Sequence, residues 1–202
     1  MSETYITKVH EGQRPDAPTL VLLHGTGGDE NQFFNLGRQL LPQAQIVAIR
    51  GDVSEGGALR YFRRTGEGVY DMEDLALRTK KMARFIEGLK ADGPVVGLGY
   101  SNGANILASV MMTHPDLIDA GVLMHPLIPW SPEPAQALAG RRVLITAGRR
   151  DPICPAERTQ ALGDWFGAQG ADTEIVWHEG GHEIVQDELT AIAGFLGEYP
   201  DG

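Results

Sequence analysis

Short runs of consecutive apolar residues recur along the chain, separated by stretches with helical spacing. The runs are Tyr5–His10, Leu20–Leu23, Ile46–Ile49, Val95–Leu98, Gly121–Met124, Val143–Thr146 and Glu174–Trp177. A strand with one solvated face alternates apolar and polar residues, whereas a strand covered on both faces reads as a continuous apolar run. Most of these are of the second kind. Between them, helices are expected near Glu30–Leu40, Asp71–Lys90, Asn102–Thr113, Pro155–Gln169 and Glu183–Glu198. The clearest is Asp71–Lys90, in which Met72, Leu75, Thr79, Met82, Ile86 and Leu89 recur at steps of three and four. Glu73, Asp74, Lys80, Lys81 and Arg84 take the opposite face, as in a helix packed on a sheet.

Strands alternating with helices predict an α/β fold with a mostly parallel central sheet and helices on both faces. Nothing reads as a linker or an internal repeat, so a single domain over residues 1–202 is expected. Two longer connections, Arg50–Tyr70 and His125–Gly140, leave strands at the same end of the sheet. Neither is long enough for a substantial cap domain, and a fairly open site follows.

Charge narrows the partners. The chain has 17 basic and 27 acidic residues, a formal charge of −10. Nucleic-acid binding calls for a basic face, so a polyanion partner is not expected. No apolar run approaches the roughly 20 residues that span a bilayer, so no membrane insertion is expected. The first residues lack a basic segment followed by an apolar core, and Cys154 is the single cysteine, which excludes an intrachain disulfide. Together these point to a cytoplasmic protein.

The chemistry concentrates at strand ends. Gly99-Tyr100-Ser101-Asn102-Gly103 joins an apolar strand to a helical stretch. A nucleophile on so sharp a turn needs small neighbours, because its backbone is strained and the flanking elements come close. Ser101 alone could equally be a helix N-cap. Asp151 follows the strand at Val143, and His182 follows the strand at Glu174. Serine, acid, then histidine is the chain order of the α/β-hydrolase fold. An oxyanion formed on attack needs two N–H donors, and those of Thr26 and Asn102 are the candidates. Thr26 lies in His24-Gly25-Thr26-Gly27-Gly28-Asp29, directly after an early strand. For the substrate pocket, Arg60 and Phe62 from the basic and aromatic stretch Arg60–Arg64 are candidates, with His125 at the end of another strand. For the aromatics of that stretch the plainer alternative is packing against the sheet, and for His125 a structural hydrogen bond.

Rival motifs fail on local structure. His178-Glu179-Gly180-Gly181-His182 spells the zinc-protease string, but that site needs both histidines on one helix face. Two adjacent glycines would cost such a helix roughly 2 kcal/mol. Gly97-Leu98-Gly99-Tyr100-Ser101-Asn102 has Asn102 where a dinucleotide fingerprint needs its third glycine. Cys154 reads as a structural thiol, and neither a metal nor an organic cofactor is expected.

With these residues placed, the chain resembles the phospholipase/carboxylesterase family of α/β hydrolases, in its small bacterial carboxylesterase branch. That branch is related to acyl-protein thioesterases and dienelactone hydrolases. The resemblance is carried by Leu22–Glu30, Gly99–Asn105, Ala147–Pro155, Gly180–His182 and the stretch from Arg60 through Leu75. It implies a cofactor-independent serine esterase acting on a small-molecule ester, with the triad Ser101, Asp151 and His182. Members of the branch often form homodimers, which makes a homodimer one expectation here. Acyl-protein thioesterases commonly carry Gln after the serine, where this chain has Asn102. Acyl thioesterase or lysophospholipase activity on the same triad is the alternative, and so is a non-catalytic binder of a small aromatic ligand.

Overall fold

In the computed structural model, residues 4–89, 92–134, 138–197 and 199 are described. The seven expected strands are present as β1 (Thr7–His10), β2 (Thr19–Leu23), β3 (Gln45–Ile49), β8 (Val95–Tyr100), β9 (Ala120–Met124), β10 (Arg142–Gly148) and β11 (Asp172–His178). They form one sheet in the order β1-β3-β2-β8-β9-β10-β11. Edge strand β1 runs antiparallel to β3, and every other pairing is parallel.

Alternation along β2 shows why these strands are apolar throughout. Val21 and Leu23 face a core shared with Val47, Ile49, Leu75, Ile86, Leu107, Val110, Leu162 and Phe166. Leu20 and Leu22 point the other way, into a core with Ile46, Phe34, Leu98, Val122, Ile192 and Phe195. Helices α2 (Met72–Glu87), α3 (Asn102–Thr113) and α4 (Ala156–Ala168) supply the first core. Helices α1 (Phe34–Leu40) and α5 (Gln186–Leu196) supply the second. Helices cover both faces of the sheet, in the arrangement of the α/β-hydrolase fold.

Some boundaries differ from the sequence reading. Glu30–Phe33 is not part of α1: Asp29 accepts from the Asn31 N–H at 2.8 Å, and Glu30 is turned toward Arg50. Asp71 is not inside α2 but caps it, accepting from the Asp74 N–H at 3.0 Å. Helix α5 begins at Gln186 because Glu183 accepts from the Gly181 N–H within the preceding turn. The expected ends at Lys90 and Glu198 lie outside the described residues, as do residues 135–137 of the second long connection.

The connection Arg50–Tyr70 is more structured than its sequence indicates. It folds into two small antiparallel hairpins, β4 (Val53–Glu55) with β5 (Ala58–Arg60), and β6 (Arg64–Gly66) with β7 (Val69–Tyr70). Both lie beside the C-terminal ends of the parallel strands, and neither amounts to a cap. Among the described residues, no helix is long and apolar enough to cross a membrane.

Candidate active site

Ser101 sits between β8 and α3 with φ 52° and ψ −114°, a conformation that L-residues rarely adopt. Such strain costs on the order of 1–3 kcal/mol and persists only where the surroundings impose it. Here the two flanking glycines permit it. A Cβ on Gly99 would collide with the Gly103 carbonyl, and one on Gly103 with the carbonyls of Leu23 and His24. Helix α3 can therefore start directly against the ends of β8 and β2. The Ser101 N–H donates to the Met124 carbonyl at 2.9 Å, which fixes the turn to β9.

Asp151 follows β10. Its Oδ1 accepts from the Ile153 and Cys154 N–H groups at 2.8 and 2.9 Å, and its Oδ2 faces His182 Nδ1 at 2.7 Å. His182 Nε2 lies 3.0 Å from Ser101 Oγ. The sequence-predicted serine, acid and histidine are thus brought into one line from three separate strand ends. Asp151 is buried, which opposes its ionisation, yet the N–H of Cys154, the rings of His182 and His125 and the N–H of Ile153 outweigh this. Its carboxyl is held below the usual range, so it is an anion at neutral pH. The His182 loop is pinned from two sides. Tyr100 Oη donates to the His182 carbonyl at 2.7 Å, and Arg150 N–H donates to the Gly180 carbonyl at 2.9 Å.

Thr26 and Asn102 border the same cavity as Ser101 and His182, about 240 Å³ in volume. The loop carrying Thr26 is braced by His24, whose Nδ1 is 2.7 Å from the Gly25 carbonyl and whose Nε2 accepts from the Gly51 N–H. That pair of bonds fixes a neutral tautomer, and burial pushes its proton affinity down. Tyr61 connects the parts: its Oη accepts from the His24 N–H and donates to the Ile49 carbonyl, and its own N–H donates to Asn102 Oδ1. The Asn102 side chain therefore anchors the hairpin segment, while its N–H and that of Thr26 meet no protein acceptor among the described residues.

Of the three expected pocket residues, one lines the cavity. Arg60 does so, almost fully buried, donating to Thr26 Oγ1 at 2.7 Å and pairing with Glu55 at 3.2 Å. Phe62 does not, because it is fully buried in the core with its ring 4.9 Å from that of Tyr70. His125 does not either, because its ring is fully buried with its nitrogens against Asp151 and Glu188. Sequence reasoning missed Tyr70, Tyr100, Asn105 and Glu188. Tyr70 Oη accepts from Asn105 and donates to the Leu127 carbonyl, shaping the cavity wall. Tyr100 lies inside the serine motif, whose glycine pattern says nothing about its ring. Cys154 also borders the cavity; burial pushes its thiol well up, and it donates to the His125 carbonyl.

The zinc-protease string is not helical. His178 ends β11, and the glycines form the turn before His182. His178, His125 and Glu188 do bring three possible ligand atoms within 4.8 Å of one another. However, His178 Nδ1 accepts from the Gly180 N–H at 3.0 Å, so the ring proton resides on Nε2, the atom a metal would need. The donor set therefore fits a network of protons better than a cation.

Comparison with known proteins agrees with this architecture. The profile of the dienelactone hydrolase family matches residues 12–190. MhqD, an inferred hydrolase of Bacillus subtilis, is 39% identical over 174 residues, covering 84% of this chain and 87% of its own. Atu2452 of Agrobacterium tumefaciens, a solved structure of unknown function, superposes with a TM-score of 0.94 at 58% identity, over 97% of both chains. A Bacillus cereus carboxylesterase superposes with a TM-score of 0.92 at 32% identity, over 97% of this chain and 95% of its own. By sequence and by fold alike, this chain is a hydrolase of the dienelactone hydrolase family.

Proposed function

We propose that the protein hydrolyses small carboxylic esters through an acyl-enzyme on Ser101. The observation that carries this reading is the unbroken line from Ser101 Oγ through His182 to the Asp151 carboxylate, opening onto a cavity of about 240 Å³. Ser101 Oγ attacks the acyl carbon as its proton passes to His182 Nε2, and the carbonyl π-bond electrons move onto oxygen. The N–H groups of Thr26 and Asn102 hold that oxyanion. Helix α3 adds its positive N-terminal end at the same place. Collapse expels the alcohol, which takes the proton from His182. Water then attacks the acyl-enzyme, giving a proton to His182, and the carboxylic acid leaves as Ser101 recovers its proton. Asp151 keeps the imidazole in the required tautomer and stabilises its cation.

The cavity favours small acids. Among the described residues, Arg60, Arg64 and Glu67 border it together with Tyr70 and Leu127, a charged rim that suits a small acyl group better than a fatty chain. This weighs against lysophospholipase activity. Arg60 braces Thr26 through the 2.7 Å bond to its hydroxyl, so its charge serves the oxyanion loop directly.

Hydrolysis of p-nitrophenyl acetate, butyrate and octanoate by wild type and Ser101→Ala tests the reading. Turnover in wild type alone, falling from acetate to octanoate, is the expected result. Equal turnover by the variant would overturn the serine mechanism. Saturable binding of an aromatic ligand with no ester turnover would favour the binder reading.

A further inference from the structure

Against Asp151, but not lining the cavity, lies a second set of buried ionisable groups that the reaction above does not use. His125 Nδ1 is 3.0 Å from Asp151 Oδ2, and its Nε2 is 2.9 Å from Glu188 Oε1, with all three side chains fully inaccessible. The second contact is close but poorly aligned for a hydrogen bond. Glu188 is held by the Val185 N–H at 2.7 Å and lies 3.5 Å from His178 Nε2. His178 and His182 have their rings 5.4 and 5.2 Å from that of His125. Tyr100 faces it at 5.9 Å, and the Cys154 thiol donates to its carbonyl at 3.3 Å.

We propose that His125 is a positioning residue for the triad, held as an imidazolium between the carboxylates of Asp151 and Glu188. The inference rests on Asp151 acting as the triad acid. A neutral imidazole has one N–H and would turn a lone pair toward one of the two anions. A doubly protonated ring faces both carboxylates with N–H groups and compensates two buried charges that would otherwise be costly. Burial disfavours charge on this ring, but the contacts with Glu188 and Asp151 outweigh it and raise its proton affinity above the ordinary value of 6.5. Burial likewise opposes charge on Glu188, and its contact with His125 helps hold that carboxyl below its usual range.

The backbone supplies independent support. Ser101 and His125 are the non-glycine residues with positive φ among the described ones, His125 at 50°. It also precedes Pro126, a position biased toward extended backbone. A strained residue of this kind persists where its surroundings over-determine it. Here the ring is clamped at both nitrogens, and the His125 N–H donates to the Thr146 carbonyl at 2.8 Å. Asp151 Oδ2 is consequently fixed by His125 from behind while it orients His182 in front.

Ring nitrogen-15 NMR of the wild-type protein tests the charge state without reference to activity. Two protonated nitrogens on His125 at pH 7.5 are expected, and a neutral-imidazole signature there would overturn the proposal. In Glu188→Gln the ring should lose its second proton at the same pH; a ring still doubly protonated would remove Glu188 from the account. For the positioning role, His125→Asn keeps a residue tolerant of positive φ. Its kcat for p-nitrophenyl acetate should fall about tenfold to a hundredfold with KM little changed, the scale seen when the outer partner of a metal-bound histidine is lost. The acid limb of its kcat/KM profile should also move to higher pH, because a positive charge beside the catalytic base is gone. A lower melting temperature with unchanged kcat and pH profile would reduce His125 to a purely structural part. Absence of ester turnover in wild type would refute the proposed function, whereas the NMR result would still decide the charge state.

Discussion

Ser101 and His125 stand at the ends of neighbouring strands, both with left-handed φ, yet their surroundings are opposite. Ser101 opens onto the cavity and needs small neighbours so that α3 can begin beside it. His125 is sealed behind Asp151, where two carboxylates bracket its ring. Strain in the first place exposes a reacting atom, and in the second it delivers a charge to the core. One carboxylate, Asp151, joins the two regions by presenting the same Oδ2 to both histidines. On the proposed reading, Asp151 is oriented by the His125 ring as well as by its own backbone turn.

The sharpest way to break this picture is at the front. Ser101→Ala should lower kcat by about 10⁶-fold, the loss a serine protease suffers without its nucleophile, with an unchanged denaturation midpoint. Steady-state ester hydrolysis beside urea denaturation checks both halves. Asp151→Asn touches both regions, and about 10⁴-fold in kcat is expected from the wrong tautomer at His182. Its pH profile should also lose the contribution of the rear pair, read from kcat/KM across the pH range.

Phe62 tests the core apart from the cavity. Phe62→Ala should destabilise the fold by about 3–5 kcal/mol through the void it leaves, measured by denaturant unfolding. Activity in the fraction that remains folded should be largely preserved, because the ring does not border the cavity.

A weaker test uses pH and stability. The folded-state value of His125 is raised, so its contribution is fully present below the ordinary 6.5 and is lost as pH rises through the raised value. Glu188 and Asp151 are lowered, so theirs is present above the ordinary carboxylate range and is lost on acidification. Unfolding free energy should therefore decline on the alkaline side with a slope of at most about 1.4 kcal/mol per pH unit from His125. That slope should vanish in His125→Asn, as urea titrations between pH 6 and 9 would show. The smallest effect is expected at Cys154, whose thiol is buried and kept protonated. Cys154→Ala should cost less than about 2 kcal/mol in stability, which thermal unfolding checks.

The sheet was legible because a parallel strand covered on both faces must be apolar along its whole length. Leu20–Leu23 and Val143–Thr146 could hardly be read otherwise. The hairpins of 53–70 were hidden because strands of two or three residues, such as Val53–Glu55 and Val69–Tyr70, are too short to show a period. At the site, the convergence of Ser101, Asp151 and His182 could be anticipated because glycines flank the tight turn at Ser101 and the other two follow later strands in the order the fold prescribes. The rear pair left no such trace. Glu188 stands in the first turn of α5, where an acidic residue is ordinary for a helix start, and only the fold buries it against His125. For His125 the sequence leaves a pocket wall and a structural hydrogen bond equally open, since a strand end does not say which way its ring will turn.

The most direct test of the account is covalent labelling with a serine-directed phosphonate, read by intact mass and peptide mapping. The account predicts one adduct, on Ser101, absent from Ser101→Ala and strongly slowed in His182→Ala. An adduct on another residue, or ester turnover that continues in a fully labelled protein, would contradict it.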